Sequence, residues 1–189
     1  MPHHKLQQLK RLLRRLWVFS PERLWLTSIA LAQRGHWMLA FWLKQLNGLI
    51  YHNSLSPGAE VGRGVWLGHN SLGIVVNANV EIGNNVLIWH HVTLAAGRRD
   101  REGREHAGAN GRGAARREGS GVAKIVIEDN VTLGTGAIVI APRGATLRIG
   151  FGAKIGAGTV VTADVPSRAR VVGARPRILT EEEQPGKSG

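Results

Sequence analysis

A six-residue beat runs through this chain from Leu55 to about Val165, broken three times. Its lead positions are Leu55, Val61, Leu67, then Val76, Ile82, Ile88, Leu94, then Ile127, Leu133, Val139, then Ile149, Ile155 and Val161. All thirteen are Leu, Ile or Val, types that make up about a quarter of the residues, so the register is not chance. The position four residues later is nearly as restricted, from Ala59 and Val65 through Val80, Val86 and Val92 to Val131, Ala137, Ala153, Thr159 and Val165. A unit this short holds one flat strand and one tight corner. Neither buries its apolar side alone, so successive coils must stack into a solenoid. Three units close a triangular coil, and equivalent positions in adjacent coils lie about 4.8 Å apart. Lead and +4 residues are expected to point inward and +2 residues outward. The fold class is therefore mainly β, a parallel β-helix of hexapeptide repeats.

The beat divides the chain into an N-terminal helical segment (1–52), a β-helix domain (53–178) with a loop at 95–122, and a polar tail (179–189). Four of the six Trp fall before residue 43, so the first segment is a different kind of structure. Residues 3–19 pattern as a helix with Leu6, Leu9, Leu12, Leu13 and Leu16 on one face and Lys5, Lys10, Arg11, Arg14 and Arg15 around them. Such a helix suits peripheral contact with an anionic membrane through residues 1–19. Ser20-Pro21-Glu22 reads as N-cap, first helical position and an acid at the positive dipole end, opening a helix over 21–33. A third helix spans 36–51. Its Trp37, Phe41, Trp42, Leu46 and Ile50 are expected to cap the end of the solenoid, whose last coil would otherwise expose its core.

There is no cysteine, which excludes disulfides, thiolate metal sites and a thiol nucleophile. Neither a signal peptide nor an apolar run of the ~18 residues a membrane span needs is visible, so a cytoplasmic location is expected. The net charge of +12 invites a nucleic-acid reading. No nucleic-acid motif accompanies it, and the charge gathers in the N-terminal helix and the 95–122 loop. No nucleic-acid partner is expected.

The three interruptions lie around Gly73 to Val75, at 95–122, and around Ala141 to Gly144. Counting through the first puts His69 and His90 at equivalent +2 positions one coil apart, with Thr135 and Ala157 continuing the file. A neutral imidazole can take a proton at cellular pH, so the His pair beside a long loop is the candidate catalytic site. His91, at +3, turns away and no acid shares the file, so no metal site is expected. The loop carries Arg98, Arg99, Arg101, Arg104, Arg112, Arg116 and Arg117. Its Arg104 and His106 are candidates for substrate binding.

Several stretches resemble a known family. They are Ser56-Pro-Gly-Ala-Glu-Val-Gly-Arg-Gly-Val-Trp-Leu-Gly-His69, Ile88-Trp-His-His-Val-Thr-Leu94, Gly152-Ala-Lys-Ile-Gly-Ala-Gly-Thr-Val-Val161 and Val172-Gly-Ala-Arg-Pro-Arg-Ile178. Over residues 55–178 the chain resembles the hexapeptide-repeat acyltransferases with a left-handed β-helix, and among them the serine acetyltransferase-like branch. The resemblance implies left-handed coils, a homotrimer, and acetyl-CoA as a co-substrate with no permanently bound cofactor. It implies His69 as general base, and Thr135, Lys154 and Ala157 along the CoA path. Departures accompany it. Gly68 stands where serine acetyltransferases have an Asp, and Ser54 matches the Asp that orients their base. No His stands between Ala123 and Val126, where theirs precedes the resumed helix, and the loop has only His106.

The expected function is direct, acetyl-CoA-dependent O-acetyl transfer. A short N-terminus and a His like His90 resemble the acetyltransferases of extracellular-polysaccharide pathways, so the expected acceptor is a saccharide hydroxyl. The alternative acceptor is L-serine, in cysteine biosynthesis. A non-catalytic trimeric scaffold is the reading from another class.

Overall fold

A computed structural model describes residues 20–96 and 123–173. The residues 1–19, the loop residues Arg104 and His106, and the tail lie outside the described residues. Helix α1 (Pro21–Gln33) begins where Ser20 Oγ accepts from the Arg23 N–H at 3.3 Å. Gly35, with φ of 84°, ends the connection, and α2 (Trp37–Tyr51) follows.

The coils come next. The first contributes β1 (Ser54–Leu55), β2 (Glu60–Val61) and β3 (Trp66–Leu67), and the second β4 (Val75–Val76), β5 (Val80–Ile82) and β6 (Leu87–Ile88). The third contributes β7 (Thr93–Ala96), β8 (Lys124–Ile127) and β9 (Thr132–Leu133). The fourth has β10 (Ile138–Ala141), β11 (Thr146–Ile149) and β12 (Lys154–Ile155), and the last β13 (Val160–Val161) and β14 (Arg170–Val171). Every pairing is parallel, giving three faces ordered β1-β4-β7-β10-β13, β2-β5-β8-β11 and β3-β6-β9-β12-β14. On the third face Leu67, Ile88, Leu133, Ile155 and Val171 lie in one register row. The lead positions are the rungs of the core. Twelve of the thirteen are buried, and only Val61 is half-exposed. Each such side chain contributes about 1.5–3 kcal/mol relative to exposure.

Three expectations are corrected. Ala96 and Ala141, at +2, are buried and not outward, because β7 and β10 run straight on into their interruptions. A straight strand alternates, so lead and +2 share a side. The beat also does not stop near Val165. It contracts by two residues and continues, with Val165 bridged to Ile149 and Val171 paired with Ile155.

The third correction concerns the cap. Helix α1 covers the first coil: Trp25 is buried and its Nε1–H donates to Ser56 O at 2.8 Å, with Leu24 and Ile29 beside it. The apolar residues of α2 do not. Trp37, Phe41, Trp42, Leu46 and Ile50 are all exposed, and the buried side of α2 is Ala40 and Asn47. Asn47 Nδ2 donates to Pro21 O at 3.0 Å, and that buried bond fixes which side of α2 faces in.

Candidate active site

After β3 the chain makes a short 3-10 turn over Gly68–Ser71, in which His69 (φ 50°, ψ 46°) and Asn70 (φ 54°, ψ 36°) are left-handed. Ser71 (φ 62°) continues the run. Each non-glycine residue there costs about 1–3 kcal/mol unless its surroundings impose it. A buried polar chain does so. Asn53 Nδ2 donates to Ser71 Oγ at 2.7 Å and to Asn47 Oδ1 at 3.1 Å, and Asn47 in turn holds Pro21 O. Backbone bonds from Leu72 N to His69 O (3.2 Å) and from Gly73 N to His52 O (2.9 Å) close the turn. The fold of α1 and α2 is thus transmitted to His69.

Gly68 has its own reason. A Cβ there would lie 3.1 Å from Trp89 Cε3 and 3.3 Å from Trp66 Cζ3, under an edge-to-face indole pair with centroids 5.6 Å apart. A side chain at this position would have to move the indoles.

His69 and His90 meet. Their ring centroids are 4.5 Å apart at 82°, His69 lies 5.7 Å from the Trp89 ring, and His91 is 5.4 Å from His90 on the other side. His69 is exposed, whereas His90 is half-buried and its Nδ1 is sealed from solvent without a hydrogen-bond partner. Burial of the ring, then the neighbouring His69 and His91, hold the His90 pKa below the usual histidine value. His90 is therefore a neutral ring at pH 7, and it places no charge beside His69. Among the described residues no Asp or Glu accepts from His69, and no three potential ligands stand close enough to hold a metal ion.

The file continues upward through the backbone. Gly136 N donates to His90 O at 3.0 Å and Gly158 N to Thr135 O at 2.8 Å, so His90, Thr135 and Ala157 sit in successive coils. Lys154 does not join them. It lies in β12 on the third face, between Thr132 and Arg170 in register, where Lys154 and Arg170 form a basic step.

A cleft of about 710 Å³ opens beside His69, lined by Ser20, Glu22, Arg23, Tyr51, Trp66 and Asn70 among others. Glu22 Oε1 accepts from Leu67 N at 3.2 Å. Sequence reasoning found Ser20-Pro21-Glu22 only as a helix start, and missed Tyr51, Trp66 and the Asn47–Asn53–Ser71 chain. The signal for the first was available: an acid at a helix N-terminus is also a group held near whatever that terminus faces.

No family model matches the chain. A serine acetyltransferase of Helicobacter pylori is 31% identical over 153 residues, which are 81% of this chain and 75% of that one. A serine acetyltransferase of Bacillus licheniformis is 32% identical over 152 residues, 80% of this chain but 59% of the relative. Among solved structures, the soybean serine acetyltransferase apoenzyme is similar at a TM-score of 0.62 and 31% identity, over 84% of this chain and 56% of that chain. The serine complex of the Neisseria gonorrhoeae serine acetyltransferase is similar at a TM-score of 0.61 and 28% identity, over 82% and 55%. The chain thus spans less than two thirds of the length of several of these proteins. The likeness covers the solenoid and gives it the left-handed parallel β-helix of that fold.

Proposed function

The chain belongs to the serine acetyltransferase family of hexapeptide-repeat acyltransferases, and on that premise we propose that it moves an acetyl group from acetyl-CoA directly to an acceptor hydroxyl. The observation that carries this reading is the contact of His90 with His69, which stands on a left-handed turn and lines the 710 Å³ cleft. In this reading the His69 ring takes the proton of the acceptor hydroxyl as its oxygen attacks the thioester carbonyl carbon. The carbon–sulfur bond breaks, the thiolate of CoA leaves, and the His69 imidazolium returns the proton to it. No acyl-enzyme forms, in keeping with a chain that has no cysteine. Acetyl-CoA extends along the file past Thr135 and Ala157, with its phosphates near Lys154. Arg104 and His106 are proposed to meet the acceptor or the CoA phosphates.

L-Serine is the acceptor we favour. The relatives support it, and the cleft beside His69 is lined by polar and charged residues, Ser20, Glu22 and Asn70 among them. A saccharide hydroxyl is the second reading. Trp66, half-exposed on the cleft wall, gives an apolar surface for a sugar ring, and Gly68 and Ser54 stand where the family has acids.

The homotrimer is proposed on the first face. Its outward row, Ser54, Val75, Thr93, Ile138 and Val160, is uncharged. The second face presents Glu60, Glu81 and Arg148, and the third presents Lys154 and Arg170. A cytoplasmic location is proposed with the same reading. No described helix is long and apolar enough to cross a membrane.

The test is thiol release from acetyl-CoA with serine, then with a panel of sugars. Turnover with serine supports the first reading, turnover with sugars alone the second. No thiol release with any acceptor, together with no CoA binding in calorimetry, leaves the scaffold. His69→Ala is expected to lower kcat by roughly 10²–10⁴-fold, and unchanged turnover removes His69 from the role of base.

A further inference from the structure

Helix α2 is inside out. Around its outward half stand Trp37, Met38, Leu39, Phe41, Trp42, Leu46, Leu49 and Ile50, every one exposed, and only Gln45 interrupts them. Met38, Trp42 and Leu49, near the middle of that half, are 75%, 63% and 76% exposed. Its inward side has only Ala40 and Asn47 fully buried, with Leu43 and Tyr51 half-buried beside them. A surface helix of a protein surrounded by water shows the opposite arrangement. A contiguous apolar surface of this kind marks a binding site.

Charge indicates the partner. Residues 1–52 hold eight Lys or Arg against the single acid Glu22, which is seven of the twelve net positive charges. Between Glu22 and Glu60 there is no acidic residue at all. Lys44 lies on the flank of the apolar half of α2, and Arg34 just precedes the helix. Two Trp on an apolar face bordered by cations match what a lipid headgroup region accepts, with aromatic rings at the boundary and basic groups at the phosphates. A two-fold contact of this face with a second copy fits less well, because it brings the same basic flank of both copies into one interface.

We propose that the outward face of α2 docks on an anionic lipid surface, with the helix lying along the membrane. The binding is peripheral, since α2 has 15 residues and reaches about 22 Å, too short to span. It rests on the exposed face of α2 and on the charge of residues 1–52, and does not depend on the acetyl-transfer reading. Tyr51, the last residue of the same helix, lines the cleft beside His69, so docking would hold that cleft close to the bilayer surface.

Co-sedimentation of the full chain with vesicles tests this. Binding is expected to vesicles of phosphatidylcholine with phosphatidylglycerol, at least about tenfold tighter than to phosphatidylcholine alone. Tryptophan emission should shift to the blue on binding. The double variant W42E/L49E should lose most of the binding while keeping the parent's circular dichroism. If that variant unfolds, M38S/W42S makes the same comparison. Failure of the parent to bind overturns the proposal. Equal binding by parent and variant also overturns it, assigning the affinity to another part of the chain. A dimer abolished by W42E/L49E, with no vesicle binding, assigns the face to a second copy instead.

Discussion

His69 and His90 share an edge-to-face contact, yet their surroundings differ in kind. One is open to the cleft, and the other is half-buried with a sealed Nδ1. The depressed pKa of His90, caused first by burial, gives a signed prediction. Above about pH 7 the ring is neutral in both folded and unfolded chains and contributes no pH dependence. As pH falls through the ordinary histidine value of about 6.5, the unfolded chain takes up the proton and the folded one resists, so stability is lost. His90→Gln should therefore flatten the fall in melting temperature between about pH 7 and pH 5, measured against the parent in the same buffers. The polar chain beneath His69 gives a second prediction. Ser71→Ala removes one acceptor of Asn53, whose Oδ1 is already buried without a partner. The expected result is a loss of about 1–3 kcal/mol and a fall in kcat of roughly 10-fold or more from a displaced His69. The KM for acetyl-CoA should be unchanged. A fall in stability with kcat intact would mean that the turn holds His69 without Ser71. None of this chain was legible in the sequence, because Pro21, Asn47, Asn53 and Ser71 are brought together only by the packing of two helices against one coil.

At the scale of elements, the legible parts were those governed by period. The lead residues announced every strand up to β13, and Ser20-Pro21-Glu22 announced α1. What period could not tell was which side of α2 would face in, since apolar residues surround most of that helix. The clue was a negative one: Ala40 and Asn47, seven residues apart, form the only small and hydrogen-bonding stripe. Strand β14 was missed for a similar reason, as the contraction before Val165 broke the count. One corner carries a direct test. Gly73, with φ of 67°, stands where an added Cβ would overlap His91 Nδ1. Gly73→Ala should cost more than the ~1 kcal/mol typical of a glycine substitution, and it should displace His91 from the His90 edge. Thermal melting reads the first effect, and the histidine ring resonances in a proton spectrum read the second.

Across the whole molecule, stability depends on how the stack is closed. Each coil buries its rungs against the next, and the first is closed by α1, with α2 packed beside β1. Trp25 is the largest buried side chain in that cap. Trp25→Ala should cost about 3–5 kcal/mol, a fall of roughly 6–20 °C in melting temperature. A smaller change would show that the coils hold without their lid. The handedness of the stack was not in the periodicity and came only from likeness to known folds. The departures at Gly68 and Ser54 were legible as residues but not as causes; the indole pair over Gly68 supplies one cause. There remains a consequence of the interruptions. Ala96 and Ala123, the described residues nearest the long one on each side, are both buried, and the rungs on either side pair as though nothing intervened. Such a scaffold works like a shelf with fixed brackets: what is hung between two of them can be exchanged while every other address stays where it was. On the proposed reading, in which Arg104 and His106 meet the acceptor, exchanging the segment between Ala96 and Ala123 is expected to change acceptor preference while the melting temperature and the His69–His90 contact stay as they are.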